Sequence, residues 1–366
     1  MGTATDTRFM ALALTLGRRG LGNAWPNPAV GAVVVKDGVV VGRGWTQPGG
    51  RPHAEVEALG RAGEMARGAA LYATLEPCSH HGKTPPCVDA IIAAGIARVV
   101  SSLEDPNPKI AGQGHTRLRA AGISVTLGVC ADEAHRAHAG HIRRLRDGRP
   151  HVTLKLAVSA DGKAGLAGRR PAELTGETAR ERVHMMRAMH DAVITGIGTV
   201  LSDDPQLTCR LPGMEPRSPV RVVLDSALRH PPASRLARSA ARTLDWTFAS
   251  EQASQERERT LTDLGVEVLR VPAANGRLDL AAVLRGLAAR GITRVMVEAG
   301  PILSAAFVTA DLVDEAAVFR SPKALGPDAL DALEGLPLTA LTQAPALKLV
   351  RSEQIGPDTL ELFERQ

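Results

Sequence analysis

Three side chains that can ligate a metal, His53, Cys78 and Cys87, constrain this chain more than any other feature, because each sits at a proline-marked boundary. Pro52-His53-Ala54-Glu55 opens a helix-like run. Thr74-Leu75-Glu76-Pro77-Cys78 closes a strand, and Pro85-Pro86-Cys87 opens a second helix-like run. To share an ion, the chain must bring one strand end beside two helix starts. One imidazole and two thiolates leave the fourth tetrahedral position open, as in catalytic zinc. A proline just ahead of a helix start pre-sets the backbone, so the ligands are expected on first helical turns at a sheet edge. A closed structural site would need a fourth ligand, which His80 or His81 could supply.

Zinc at an open site lowers the pKa of a bound water to about 7, and a carboxylate nearby can shuttle the proton. Glu55, two residues from His53, is that carboxylate. A His-x-Glu followed by Pro-Cys-x-x-Cys is the plan of the zinc nucleobase deaminases. Here Ser79 to Pro86 separate the two cysteines, a longer spacing. Cys130 and Cys209 show no ligand pattern and read as structural thiols. Four cysteines are too few for a disulfide scaffold of this length.

Periodicity and turn residues divide the chain into a domain at 1–146, a Gly/Pro-marked linker at 147–150 and a domain at 151–366. In the first, Thr7 to Arg19 reads as a helix. Val30 to Val35 and Val39 to Gly44 read as strands joined at Lys36-Asp37-Gly38, a hairpin signal. Helix-like and strand-like runs then alternate: His53 to Ala66, Ala69 to Leu75, Pro86 to Ala94, Arg98 to Ser102, Gly114 to Ala121, Ser124 to Gly128 and Ala131 to Leu145. That order predicts a mixed sheet, parallel in its second half. In the second domain, strands are expected at His151 to Val158, Asp191 to Thr195, Val220 to Leu224, Val266 to Val271 and Thr293 to Val297. Helices are expected at Glu177 to His190, Leu280 to Ala289 and Ile302 to Val308. Both domains read as α/β.

No apolar stretch approaches the roughly 18 residues of a membrane span. Met1 to Met10 lacks the plan of a signal peptide, and Asp6 stands where a myristoylation signal after Met1-Gly2 needs Ser or Thr. The expectation is a soluble, cytoplasmic protein with no membrane partner. Residues 1–150 hold 18 Lys/Arg against 12 Asp/Glu, while 151–366 hold 26 against 27, so the basic bias lies in the first domain. It favours an anionic ligand. With only 2% aromatic residues there is little for base stacking, so no nucleic-acid partner is expected.

Longer motifs surround the ligands. Pro26-Asn27-Pro28-Ala29-Val30-Gly31, His53-Ala54-Glu55-Val56, Thr74 to Cys87 and Glu104-Asp105-Pro106-Asn107-Pro108 resemble the RibD family of bifunctional riboflavin-biosynthesis deaminase/reductases. The likeness continues through Asp191-Ala192-Val193, Gly196 to Pro205, Glu298-Ala299-Gly300-Pro301 and Pro322-Lys323-Ala324-Leu325-Gly326. It implies an N-terminal cytidine-deaminase-like three-layer domain and a C-terminal dihydrofolate-reductase-like domain. The first would hydrolyse the 2-amino group of a diaminopyrimidinone ribosylamine 5′-phosphate. The second would use NADPH to reduce the ribosyl group of the aminouracil product to ribityl. The resemblance carries His53, Cys78 and Cys87 over as zinc ligands, Glu55 as the proton shuttle and Asn27 as a contact to the pyrimidine, a position where Asn27 also reads as a turn residue between prolines. It further implies a homo-oligomer, dimer or tetramer.

For the reductase, strand–Gly–helix junctions at Gly196-Ile197-Gly198-Thr199 and Glu298-Ala299-Gly300-Pro301 suit a cofactor's phosphates, since their backbone can approach closely and helix N–H groups are free there. By resemblance, Ala157, Thr199, Asp203, Ser226 and the segment Gly300, Pro301, Ile302, Leu303, Ser304, Ala305, Ala306 and Phe307 face NADPH. Arg187, Leu207, Arg210 and Glu298 face the substrate, with Arg187 and Arg210 expected as a phosphate clamp. One stretch departs from the family. Where a Ser-x-Trp-Ile-Thr run is usual, this chain has Pro171-Ala172-Glu173-Leu174-Thr175. A carboxylate there would repel cofactor phosphates unless Arg169 or Arg170 compensates, and reduction is expected to survive. The alternatives are a deaminase with an impaired reductase domain, a nucleic-acid base deaminase with an accessory domain, and a zinc-stabilised binding protein without catalysis.

Overall fold

A computed structural model describes residues 3–366 and divides the chain into two compact units, Met1–Arg149 and Pro150–Gln366. Met1-Gly2, and with it any reading of a lipidation signal, lies outside the described residues.

The first unit opens with the helix Ala4–Gly17, capped by Thr3, whose side chain accepts from the Asp6 N–H while the Asp6 side chain accepts from the Thr3 N–H. Strands β1 (Gly31–Lys36) and β2 (Val39–Trp45) pair antiparallel across Asp37 and Gly38, both with positive φ, the backbone that an Asp-Gly turn supplies. β1 also pairs antiparallel with β3 (Ala70–Ala73), after which β4 (Arg98–Ser101) and β5 (Ser124–Leu127) run parallel. The sheet order is β2-β1-β3-β4-β5. Helices Ala54–Ala62, Cys87–Ala93 and Gln113–Ala120 connect the later strands. Val33, Val34, Leu71, Ile91, Val99 and Leu118 form the core among them, each fully or nearly fully buried. Burying each such side chain contributes about 1.5–3 kcal/mol.

Two glycines of β2 set how closely the first of these helices lies. A Cβ at Gly42 would meet the Ala58 carbonyl oxygen at 2.1 Å, and one at Gly44 would meet that of Ala54 at 2.3 Å. The helix therefore packs backbone against backbone on the strand. The run expected as one helix from Ala131 to Leu145 is two, Ala131–Ala137 and Ala139–Asp147, broken where His138 leaves helical geometry (φ −98°, ψ 10°).

The second unit is built on a nine-stranded sheet. Its strands are β6 (His151–Val158), β9 (Ala192–Gly196), β10 (Val220–Leu224), β11 (Asp245–Ser250), β12 (Glu267–Val271), β15 (Arg294–Val297), β16 (Glu315–Arg320), β18 (Leu347–Ile355) and β19 (Asp358–Arg365). Two small sheets complete it: β7 (Lys163–Leu166), β8 (Arg170–Pro171) and β17 (Leu330–Asp331), and the ribbon β13 (Ala273–Ala274) with β14 (Arg277–Leu278). The order β12-β11-β10-β9-β15-β6-β16 is parallel throughout, and β19 and β18 add antiparallel at one edge. After β12 the chain returns to place β15 between β9 and β6. Such a reversal of strand order opens a crevice at the carboxyl ends of the strands, where ligands of parallel sheets bind.

Candidate metal centre and reductase cleft

The helix Ala54–Ala62 begins at His53, which is its N-cap, and Cys87 is the first residue of Cys87–Ala93. Cys78 differs from the expectation of a helical turn: it lies in the loop beyond β3. Its carbonyl accepts from the Val88 N–H at 3.2 Å, and its sulfur accepts from the Cys87 N–H at 3.2 Å, which ties the two cysteine segments together. His53 Nδ1 lies 3.3 Å from Cys87 Sγ and 3.6 Å from Cys78 Sγ. The three ligating atoms all fall within 4.8 Å of one another, and among the described residues no fourth His, Cys, Asp or Glu joins them. A nitrogen and two sulfurs converging at that separation suit zinc with one position open, so neither His80 nor His81 closes the site.

Glu55 stands on the first turn of the helix that His53 caps and is buried. That burial pushes its carboxyl up to about 7, with Cys78 adding to the rise and His53 opposing it. A hydrogen bond from Cys87 holds the Cys78 thiol down to about 4, while Cys78 and burial push the Cys87 thiol well above the usual range. Asn27 Nδ2 donates to the Gly50 carbonyl at 2.8 Å and lies 3.2 Å from His53 Nε2, so Asn27 stands beside the ligand ring. The flap between the cysteines is pinned at Thr84 by Arg51 and at the Ser79 carbonyl by Arg117 (2.8 Å).

In the second unit, β9 ends at Gly196, the N-cap of Ile197–Asp203, and β15 leads to Gly300, the N-cap of Pro301–Thr309. Neither helix has a side-chain cap. A Cβ at Gly300 would come within 3.7 Å of Thr199 Oγ1, so the two junctions adjoin, and one at Gly198 would meet only open space. Adjacent uncapped helix starts fit a dinucleotide's phosphates. Ser226 follows β10, and Ala157 lies in β6.

Two expectations need correction. The segment Gly300 to Phe307 does not face outward as a whole: Ser304, Ala305 and Phe307 are buried in the core, since a helix turns about 100° per residue and offers one face only. The first turn, Gly300 to Leu303, remains exposed or half-buried. The Arg187 clamp is also different. Arg187 is buried and gives Nε and Nη2 to Glu298, both at 2.9 Å, and Nη1 to the Thr208 carbonyl at 3.0 Å. Arg210 is exposed, and Leu207 is buried with φ 54°. The neighbouring Arg187 and Lys155 charges overcome burial and hold the Glu298 carboxyl down to about 2.

Lys155 escaped sequence reasoning although its signal was present, a lysine in the middle of an apolar strand. Its Nζ lies 3.7 Å from Glu298 Oε1, and burial pushes its pKa down. Glu173 is compensated by Arg180, 3.0 Å away, rather than by Arg169, which pairs with Glu334, or Arg170.

The chain matches known proteins along nearly its whole length. A family model described as the RibD C-terminal domain matches residues 150–360, and one described as the cytidine and deoxycytidylate deaminase zinc-binding region matches residues 3–103. The riboflavin biosynthesis protein RibD of Escherichia coli is 44% identical, covering 96% of this chain and 97% of that protein; that of Aquifex aeolicus is 38% identical, covering 98% of each. Among solved structures, Acinetobacter baumannii RibD superposes with a TM-score of 0.87 at 37% identity over 99% of both chains. The Thermotoga maritima diaminohydroxyphosphoribosylaminopyrimidine deaminase/5-amino-6-(5-phosphoribosylamino)uracil reductase gives 0.84 at 37% identity, also over 99% of both.

Proposed function

The chain belongs to the RibD family of bifunctional deaminase/reductases in riboflavin biosynthesis, and from that membership we propose which residues carry each step. Its first domain is a zinc-binding deaminase and its second an NADPH-using reductase. Zinc held by His53, Cys78 and Cys87 supplies a Lewis acid when bound. Glu55 takes one proton from water as its oxygen bonds to C2 and passes it to a ring nitrogen, then takes the second from the new hydroxyl and passes it to the amine as the C2–N bond breaks and ammonia leaves. A buried carboxyl balanced near neutrality can do both. The Asn27 Oδ1 atom orients the pyrimidine.

In the reductase domain NADPH supplies hydride when bound. Backbone N–H groups of the Gly196 and Gly300 junctions hold its phosphates, with Ala157, Thr199, Asp203 and Ser226 along its length. Glu298, fixed by Arg187 and Lys155, orients the ribosyl chain, and Arg210 meets the substrate phosphate, with Leu207 beside it. Arg180 pairs with the exposed Glu173 and offsets part of the charge that the Pro171 to Thr175 segment brings, in keeping with a reductase that still turns over. The substrates are the two phosphorylated pyrimidines named for the Thermotoga enzyme, not a polynucleotide. No helix of the described residues is long and apolar enough to cross a membrane; a cytoplasmic location accords with the substrates.

Association into a homodimer or tetramer through β18 is supported by that strand's place at the sheet edge with Leu349 and Val350 exposed. Sedimentation of Leu349→Lys/Val350→Glu as a monomer would bear it out. The convergence of His53, Cys78 and Cys87 beside Glu55 carries the main reading. Its test is ammonia release from the diaminopyrimidine by the full chain with zinc measured alongside. Glu55→Gln should keep one zinc per chain and lose about 10²–10⁴-fold in rate. Deamination at the wild-type rate would overturn the assignment.

A further inference from the structure

Glu76 is buried between β3 and Cys78, and the mechanism above gives it no task. Its carboxylate is nonetheless fully engaged. Oε2 accepts from the backbone N–H groups of Asp105 and Gly112, each at 2.9 Å, so one oxygen closes both ends of the loop Asp105–Gly112. Oε1 accepts from the Gly114 N–H at 2.7 Å and the His115 N–H at 3.4 Å, at the start of the helix Gln113–Ala120, whose own N-cap, Gly112, has no side chain to do so. A negative charge there also suits the helix dipole. The junction is close: a Cβ at Gly114 would sit 2.2 Å from the Pro77 carbonyl oxygen, one residue from Cys78.

Between its pinned ends the loop is ordered by its own atoms. Asp105 Oδ1 accepts from the Asn107 N–H at 2.8 Å, Asn107 Oδ1 from the Lys109 N–H at 3.1 Å, and the Asn107 carbonyl from the Ile110 and Ala111 N–H groups. Asp105 and Asn107 are half-buried, and Asp105 lies within electrostatic reach of Cys78 and His80. The loop therefore stands beside the metal-ligating segment, tied to it by the Glu76 side chain, while Gln113 Nε2 and Thr116 Oγ1 donate to its Lys109 and Gly112 carbonyls from the following helix.

We propose that Glu76 is a positioning residue of the deaminase: by closing the Asp105–Gly112 loop it shapes one wall of the pyrimidine pocket and so governs substrate affinity, leaving metal binding to the ligands. The proposal rests on the deaminase reading of the site. Glutamine in its place keeps the volume but turns an amide N–H₂ toward two of the four donors.

The experiment measures steady-state ammonia release, zinc content and tryptic cleavage after Lys109 for full-length wild type and Glu76→Gln. Expected are one zinc per chain in both, a KM for the diaminopyrimidine raised at least tenfold with kcat within threefold, and faster cleavage at Lys109. The wild type gives a second reading that does not depend on the variant's folding: saturating substrate should slow cleavage at Lys109 several-fold. Loss of zinc in a folded Glu76→Gln would place its action on Cys78 instead. A fall in kcat at constant KM, wild-type kinetics, or no protection of Lys109 by substrate would each overturn the proposal. Wild-type protein that releases no ammonia would instead sink the deaminase reading, independently of Glu76.

Discussion

Replacing Gly44 by alanine drives a methyl group into the helix that carries Glu55. The new Cβ would lie 2.3 Å from the Ala54 carbonyl oxygen and 2.7 Å from the Ala58 nitrogen, where ordinary contact begins at 3.4 Å. Both atoms are backbone, so no side chain can swing aside, and helix and strand must part by about 1 Å. Overpacking of this kind costs about 1–3 kcal/mol, against which alanine recovers about 0.5–1 kcal/mol by restricting the unfolded chain. A net loss of about 1–2 kcal/mol should appear as a lower urea midpoint for the first unit. The larger effect is on chemistry. Ala54 sits between His53 and Glu55, and in the roles proposed for them a displacement near 1 Å costs on the order of 10²-fold in rate. Ammonia release per bound zinc should fall by that factor, while NADPH oxidation on supplied aminouracil stays unchanged. Gly60→Ala in the same helix is the control: its Cβ meets nothing within 4 Å, so it should stabilise by about 0.5–1 kcal/mol without altering kcat. Wild-type ammonia release by Gly44→Ala would refute the claim that this glycine sets the position of His53 and Glu55 for the proposed chemistry.

Hydrogen bonds from Arg98, with the Thr3 N–H and Tyr72 hydroxyl also donating, hold the Asp6 carboxyl well below the usual carboxylate range. Its stabilisation is therefore complete above the unfolded pKa near 4 and fades as pH falls toward the folded value. Asp6→Asn should cost about 2 kcal/mol in urea unfolding at pH 7, a gap that narrows below pH 4. Asp245 has the opposite sign, since burial pushes its carboxyl up to about 7. Stability should drop as pH rises from 4 to 7 and then level off, and thermal melts of Asp245→Asn should lack that slope. Arg187→Lys loses the two-pronged contact with Glu298. NADPH oxidation should fall at least tenfold with ammonia release intact; equal reductase rates would show that the pair does not orient substrate.

Local signals were the readable ones. The Asp37-Gly38 turn needs positive φ twice, and that dipeptide announces it. Strand His151–Val158 and helix Leu280–Ala289 carry clean periodicity and end where they were expected to end. His53, Glu55, Cys78 and Cys87 share a compact motif whose residue types have few other joint uses. By contrast, β18 exposes Lys348, Arg351 and most of its other side chains at a sheet edge, and so shows no apolar face to read. β11 opens on a buried aspartate that pattern reasoning takes for a loop. The supporting contacts are distant in the chain: Glu76 reaches Gly112 and Gly114, Lys155 and Arg187 reach Glu298, and no spacing rule links such pairs. The inward turn of Phe307 follows from helical period alone, because a helix of about two turns cannot present every side chain to one face.

Strand β6 is the first of its sheet to leave the ribosome, yet both its neighbours, β15 and β16, are encoded roughly 140 residues or more downstream. At roughly 5–20 residues per second the wait lasts on the order of ten seconds. Meanwhile a run of Val152, Leu154, Leu156 and Val158 has no partner to cover it. The deaminase sheet, by comparison, is finished once Leu127 has emerged. During synthesis the enzyme is thus half folded and half waiting, and a message truncated before Arg320 would yield sticky, inactive reductase attached to a sound deaminase.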